Sequence, residues 1–368
     1  MRTGAAKHSP RAHRSSPTFV SLTGPAGNIG DALIRRGTLD WARDTSDVLV
    51  AYVGEAPDAW LEQLGVPADA IVLRSKRSVP RWLWMLATAP RHPVLIFEAG
   101  EIPLDRGNEV RELVFLAETA IVRLKGGVVM RPPRGIRAPT ALPLWLHRQA
   151  ARLSQIALWR DAASAAAIGS PSIAPDIGFV AGVRAGRPWA DRDELIISLR
   201  GARPLPDDAW VQAVRATAAA GGLRIRTVVQ VREDEERARE LAALLDGEFE
   251  PWGDTDALAQ EALLRERYDG ARLVLSDRMH VLVLAALSGA APAELVPHPT
   301  RKISDAFATI GLTAVSCDAS TTDAEGMAAF LRTQLRRGTE TAECVREAVE
   351  RLTALEADVR ETIRAARS

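Results

Sequence analysis

Leu273-Val274-Leu275-Ser276-Asp277-Arg278-Met279-His280-Val281-Leu282-Val283-Leu284-Ala285-Ala286-Leu287-Ser288-Gly289 decides how this chain is read. The stretch opens as a short apolar run, the pattern of a buried parallel strand. Ser276 and Asp277 follow as N-cap side chains. The helix after them is so apolar that it must be buried. Arg278 and His280 therefore fall in the first turn of a buried helix, just past the carboxyl end of a strand. Ligands of open α/β sheets bind at that end. A helix start also offers unpaired N–H groups and a positive dipole end, which suit an anion.

Composition bounds what can surround this stretch. At 368 residues the chain exceeds one ordinary core, so two domains are expected. Apolar residues are 47% and charged residues 26%, a globular balance. Lysine and arginine total 47, as do aspartate and glutamate, which argues against a nucleic-acid partner. The two cysteines, Cys317 and Cys344, lie in no CxxC or Cys/His pattern, so neither a metal site nor a disulfide framework is expected, and a cytoplasmic location fits. Residues 1–17 read as a disordered basic tail with no apolar region behind it. No run reaches the roughly 18 apolar residues that cross a bilayer.

Strand and helix patterns alternate from Thr18 onward. Strands are expected at Thr18–Thr23, Asp47–Val53, Ala70–Leu73, Val94–Phe97, Ala120–Leu124 and Gln155–Trp159, with Pro132–Gly135 as a loop. A stretch rich in Gly, Pro and charge, 181–193, marks a boundary, and a second alternating series follows. The fold class is α/β: two Rossmann-like doubly wound domains facing a cleft, as in GT-B proteins, with a long C-terminal helical segment. The expected divisions are 18–185 on the acceptor side, 186–321 on the donor side, and helices over 322–368 packing across both.

Several residues can carry chemistry. Gly24, Gly27 and Gly30 follow the first strand as G-x-x-G-x-x-G, which is neither the dinucleotide fingerprint nor a P-loop. Asn28 and Asp31 add polar side chains there, and the plainer reading is a capped tight turn. Arg160 and Arg200 each end a strand, where a surface ion pair is the plainer role. Glu98 and Glu101 follow the fourth strand and can bind a hydroxyl. Lys302 is a further candidate cation. His280, beside a fixed cation and a helix end, is the expected acid/base group.

Four segments resemble the polysaccharide pyruvyl transferase family: Gly27-Asn28-Ile29-Gly30-Asp31; Trp159–Ser164 with Pro175–Phe179; Ile196–Arg200; and Ser276-Asp277-Arg278-Met279-His280. Together they span residues 18 to about 311. The resemblance implies phosphoenolpyruvate as co-substrate and a cyclic pyruvate ketal on a glycan or lipid-linked oligosaccharide as product, in cell-surface polysaccharide or glycolipid synthesis. It implies no cofactor or metal. His280 would be catalytic, Arg278, Arg160, Arg200 and Lys302 would bind the donor, and Asn28, Gly30, Asp31 and Glu98 would line the acceptor loop. A lipid-linked acceptor would bring the enzyme to the inner face of a membrane. One departure is Glu98-Ala99-Gly100-Glu101, where the family often has a glycine run. Two alternatives stand beside this reading: a GT-B-type nucleotide-sugar glycosyltransferase, and a non-catalytic glycan- or anion-binding relative. The sequence does not settle the oligomeric state.

Overall fold

The computed structural model describes residues 16–183 and 186–368; most of the basic tail lies outside them. Two parallel sheets form the framework. The first contains β1 (Thr18–Ser21), β2 (Leu49–Gly54), β3 (Ile71–Arg74), β4 (Val94–Ile96), β5 (Gly100–Pro103), β6 (Val128–Arg137) and β7 (Ile156–Trp159). Its order is β3-β2-β1-β4-β6-β5, with β7 also pairing β6. The second contains β8 (Glu194–Ser198), β9 (Arg224–Val228), β10 (Glu248–Glu250), β11 (Ala271–Ser276), β12 (Ala291–Val296) and β13 (Ser316–Asp318), in the order β10-β9-β8-β11-β12-β13. Every strand pairing within the sheets is parallel. This is a two-domain, Rossmann-like, GT-B architecture.

Burial explains why the opening stretch behaves as it does. Five of the six residues of β11 are buried, because helices cover both faces of the sheet. In the helix Met279–Leu287 every residue except His280 is buried. Truncating one of its leucines to alanine would cost about 2–5 kcal/mol. The helix packs against Ile29–Ala42, the first helix of the other domain. The final helix, Gly338–Arg367, reaches back to the first domain, where Arg360 donates to the carbonyl of Arg43 at 3.1 Å.

Two expectations in the first domain are corrected. Ala120–Leu124 is not a strand but the end of the helix Glu109–Leu124. Its β-branched residues suit either state, and packing decides, with Thr119 and Val122 buried against the sheet. Pro132–Gly135 is not a loop but part of β6. The lower half of β6 pairs β4 at Val128–Met130, and the upper half pairs β5 at Arg134–Arg137. Pro132 and Pro133 lie in the gap between these pairings, where β6 also shifts register against β7. Proline is tolerated there because no ladder donor is required.

Candidate active site in the interdomain cleft

Each sheet has a point where its strand order reverses, between β1 and β4 in the first and between β8 and β11 in the second. Loops leaving the carboxyl ends of neighbouring strands part at such points and open a crevice. Here the two crevices face one another across a cavity of about 150 Å³. Asn28, Gly30 and Asp31 line it from the first domain with Glu101 and Arg160; Arg200, Gln230, Arg278, His280 and Lys302 line it from the second. Five permanent cations, Arg35, Arg160, Arg200, Arg278 and Lys302, face two carboxylates, Asp31 and Glu101. Cations thus outnumber carboxylates among the lining side chains, and buried Asp176, Asp234 and Asp277 stand behind them as partners.

Helix starts bring the domains together. Asn28 is the N-cap of Ile29–Ala42; its side chain accepts from the Asp31 N–H at 3.2 Å and donates to the Asp31 carboxylate at 2.7 Å. Asp31 in turn pairs with Arg35 at 3.0 Å. Asn28 also forms an isolated antiparallel bridge with Val231 of the second domain. Gly30 is the close-approach point, since a Cβ there would lie 2.6 Å from the His280 Cβ. No side chain larger than hydrogen fits without separating the two helices.

His280 faces a carboxylate absent from the expected site. Its Nε2 lies 3.5 Å from Oδ1 of Asp176, an ion-pair distance longer than a good hydrogen bond. Asp176 is fully buried, accepts from the Gly178 N–H at 2.9 Å, and pairs with Arg160 Nη1 at 3.3 Å. Burial alone would raise its pKa, but His280 and Arg160 together hold the carboxyl well below the usual range. Nε2 faces the carboxylate but makes no hydrogen bond, and Nδ1 lies on the Gly30 side of the cavity.

The cations are held by carboxylates rather than standing alone. Arg278 is the residue before the helix, and its guanidinium pairs with the buried Asp234. Asp277 does not cap that helix as expected. Its carboxylate accepts from the Arg200 N–H at 3.0 Å and from Arg203 Nε at 2.7 Å, tying the loop after β8 to the end of β11. Ser276 Oγ accepts from the Arg278 N–H at 2.9 Å and donates to the Ser198 carbonyl at 2.6 Å. Arg200 remains the most open cation, 41% exposed, with Asp277 at 3.7 Å. Lys302, on the helix Arg301–Ala308, pairs across the cleft with Glu101 at 3.0 Å, and Arg160 reaches the same carboxylate at 3.3 Å. Burial pulls the Lys302 pKa down, and for Glu101 the surrounding Lys302, Arg160 and Arg137 outweigh burial and pull it down too.

Glu98 does not join this cavity. Gly100, with φ of 106°, turns the chain between Glu98 and Glu101. Glu101 then points into the cleft, while Glu98 lines a separate cavity of about 610 Å³ inside the first domain. Trp82, Phe97, Phe115 and Glu118 line that space as well. Sequence reasoning missed Asp176 and Asp234 as members of the site. Asp176 stands in a Pro-Asp turn and in one of the segments that carry the resemblance, yet is given no role there, and Asp234, the N-cap of Glu235–Leu245, carries no signal.

No family model matches the chain, and no curated protein matches it by sequence. Similar solved structures exist. UDP-GlcNAc 2-epimerase from Neisseria meningitidis, bound to UDP-GlcNAc, has a TM-score of 0.56 at 9% identity, over 93% of this chain and 99% of that one. Anabaena Alr3699/HepE in complex with UDP has a TM-score of 0.56 at 13% identity, over 95% and 100%. Staphylococcus aureus MnaA with UDP has a TM-score of 0.51 at 11% identity, over 90% and 91%. At these identities the likeness establishes the shared fold. It overturns the expected pyruvyl transferase and its phosphoenolpyruvate donor, because the similar structures are UDP-GlcNAc 2-epimerase and GT-B proteins. The motifs behind that expectation are used in packing: Asn28 caps a helix, Gly30 admits His280, and Asp277 ties two loops together. The chain has a GT-B fold of the kind seen in those UDP-bound proteins.

Proposed function

We propose that the chain is a GT-B-type transferase that moves a sugar from a nucleoside-diphosphate sugar to a glycan acceptor. The observation that carries this reading is the convergence of five fixed cations on one cavity where the two strand-order reversals meet. The second sheet has the order whose crevice holds nucleotides in doubly wound folds. Arg200 and Arg278 bind the diphosphate from that domain, with Lys302 and Arg160 closing over it. These groups stabilise the charge that grows on the diphosphate as the glycosidic bond breaks. His280 accepts the acceptor hydroxyl proton at Nδ1, with Asp176 holding the ring. Asn28 and Asp31 lie on the acceptor side. The UDP and UDP-GlcNAc carried by similar structures support the choice of ligand.

Thermal unfolding tests the reading. A ligand at 100 times its Kd adds about 2.7 kcal/mol, so UDP or a UDP-sugar at saturation raises the melting temperature. His280→Ala keeps that response and loses turnover. No response to any nucleoside diphosphate or nucleotide sugar sinks the proposal.

A further inference from the structure

The outer face of the first domain has an unusual surface. Three helices lie side by side there: Val79–Thr88, Glu109–Leu124 and Ala141–Leu153, the middle one packed against both others. The first two cover the sheet face lined by Phe19, Val50, Leu95 and Val129, the face opposite Ile29–Ala42 and the cleft. Trp82 points inward and is buried, and Trp84, two residues on, points outward and is 64% exposed. Val110 and Leu113, one turn apart, are also exposed, as are Leu142 and Trp145. Seven of the twelve exposed large hydrophobic residues among those described lie on these three helices, so the exposure is concentrated rather than scattered.

Charge separates in the same region. No aspartate or glutamate occurs in residues 76–97 or in residues 119–160; the middle helix carries Glu109, Glu112 and Glu118, of which the last two are buried. Lys76, Arg77, Arg81, Arg123 and Arg152 are exposed, and none forms an ion pair among the described residues. Some exposed arginines elsewhere are paired, as in Arg239 with Glu235 and Glu236, and others such as Arg346 and Arg364 are not; what sets this face apart is that unpaired cations lie beside exposed tryptophan and leucine.

We propose that this face docks on an anionic lipid bilayer. Tryptophan and leucine insert their apolar bodies at the headgroup boundary, and lysine and arginine stems reach anionic headgroups. No described helix is long and apolar enough to cross a membrane, so the contact is with one leaflet. A second copy of this chain is a poorer occupant, because a two-fold interface would set five unpaired cations against five more. Nucleic acid supplies phosphates but has no use for exposed valine and leucine. The 610 Å³ cavity extends from Ser21 and Thr23, at the carboxyl end of β1, to Lys76 and Val110 on this face.

The full-length protein is sedimented with vesicles of phosphatidylcholine alone and of phosphatidylcholine with phosphatidylglycerol. The wild type partitions to the anionic vesicles, and raising salt reduces the partition. The doubly substituted Arg77→Glu/Arg81→Glu protein loses at least about tenfold in partition. Trp84→Ala/Trp145→Ala also weakens it, with loss of the blue shift in tryptophan emission. All four positions are exposed, so unchanged melting temperatures separate docking from folding. Both variants leave residues 1–15 intact, so the losses assign binding to the helices. The proposal is overturned by absent partition at low salt, by variants that sediment like the wild type, or by a dimer that Trp84→Ala/Trp145→Ala dissolves.

Discussion

Asp176→Asn is the most informative single change, because one buried carboxylate serves both domains. In the wild type its oxygens meet Arg160 at 3.3 Å, His280 at 3.5 Å and the Gly178 N–H at 2.9 Å. Asparagine keeps an acceptor for Gly178 but removes the charge. Arg160, 2% exposed, then keeps only Glu101 at 3.3 Å and Asp161 at 4.0 Å. Removing one partner of a buried pair costs about 3–5 kcal/mol, and the remaining carboxylates place this case near the lower end, at about 3 kcal/mol. The pH dependence fixes the cause. Asp176 has a folded pKa held below its ordinary 3.8, so its contribution is complete above that value and is lost as pH falls through the folded pKa. Denaturant titrations at neutral pH should therefore show the full gap between wild type and variant, and titrations below about pH 3.8 a shrinking one. The oxygen that accepts from Gly178 is also the one that faces His280, so the asparagine oxygen keeps that place and its NH₂ group turns toward Arg160. His280 then lacks the negative charge that steadies the ring as it takes a proton, and turnover of a nucleotide sugar should fall by about 10²-fold or more. A loss under about 0.5 kcal/mol at neutral pH, the size of an ordinary surface substitution, refutes the shared-carboxylate reasoning.

Two further perturbations probe other parts of the structure. Gly30→Ala places a Cβ 2.6 Å from that of His280, and the overlap should cost about 1–3 kcal/mol while spreading the helix starts; a melting temperature and nucleotide affinity equal to wild type would contradict the close approach. Glu118 is buried, accepts from Trp82 Nε1 at 3.0 Å, and is pushed up from 4.5 to about 8 chiefly by burial. Its contribution is complete below the unfolded value and is lost as pH rises through the folded one, a total on the order of 5 kcal/mol. Glu118→Gln keeps the acceptor for Trp82, so it should match the wild type near pH 4.5 and exceed its stability near pH 8; parallel stability curves across that range would rule the explanation out.

The strand-helix alternation was legible because parallel strands buried on both faces leave unbroken apolar runs, of which β11 is the clearest. Arg278, His280, Arg160, Arg200, Lys302 and the Asn28–Asp31 loop were readable because each follows the carboxyl end of a strand or starts a helix. Their meeting in one cavity follows from the facing reversals of two sheets. The rest depended on packing that no local pattern encodes. Prolines 132 and 133 looked like a loop, yet β6 changes partner where they stand. Glu98 and Glu101 looked equivalent, yet one glycine with positive φ sends them to different cavities. Asp176 looked like a turn residue, since Arg160 and His280 approach it only in the folded chain.

The paired state of the cleft cations has a consequence for ligand entry. Lys302 with Glu101, His280 with Asp176, and Arg36 with Glu261 at 2.5 Å all join one domain to the other. Arg278 and Arg160 are likewise matched, by Asp234 and by Asp176 with Glu101. An entering diphosphate therefore competes with carboxylates for partners that currently hold the domains together. Lys302 and Arg160 can turn from Glu101 to a phosphate only if Glu101 gains solvent or moves away. The same charges that attract the anion thus resist opening until it arrives, and binding and domain motion share one set of ion pairs. Glu101→Gln separates the two effects: it frees Lys302 and Arg160 for the ligand while removing a link across the cleft. Nucleoside-diphosphate affinity should rise while the melting temperature of the ligand-free protein falls. If both fall together, Glu101 positions the cations for the ligand instead of competing with it.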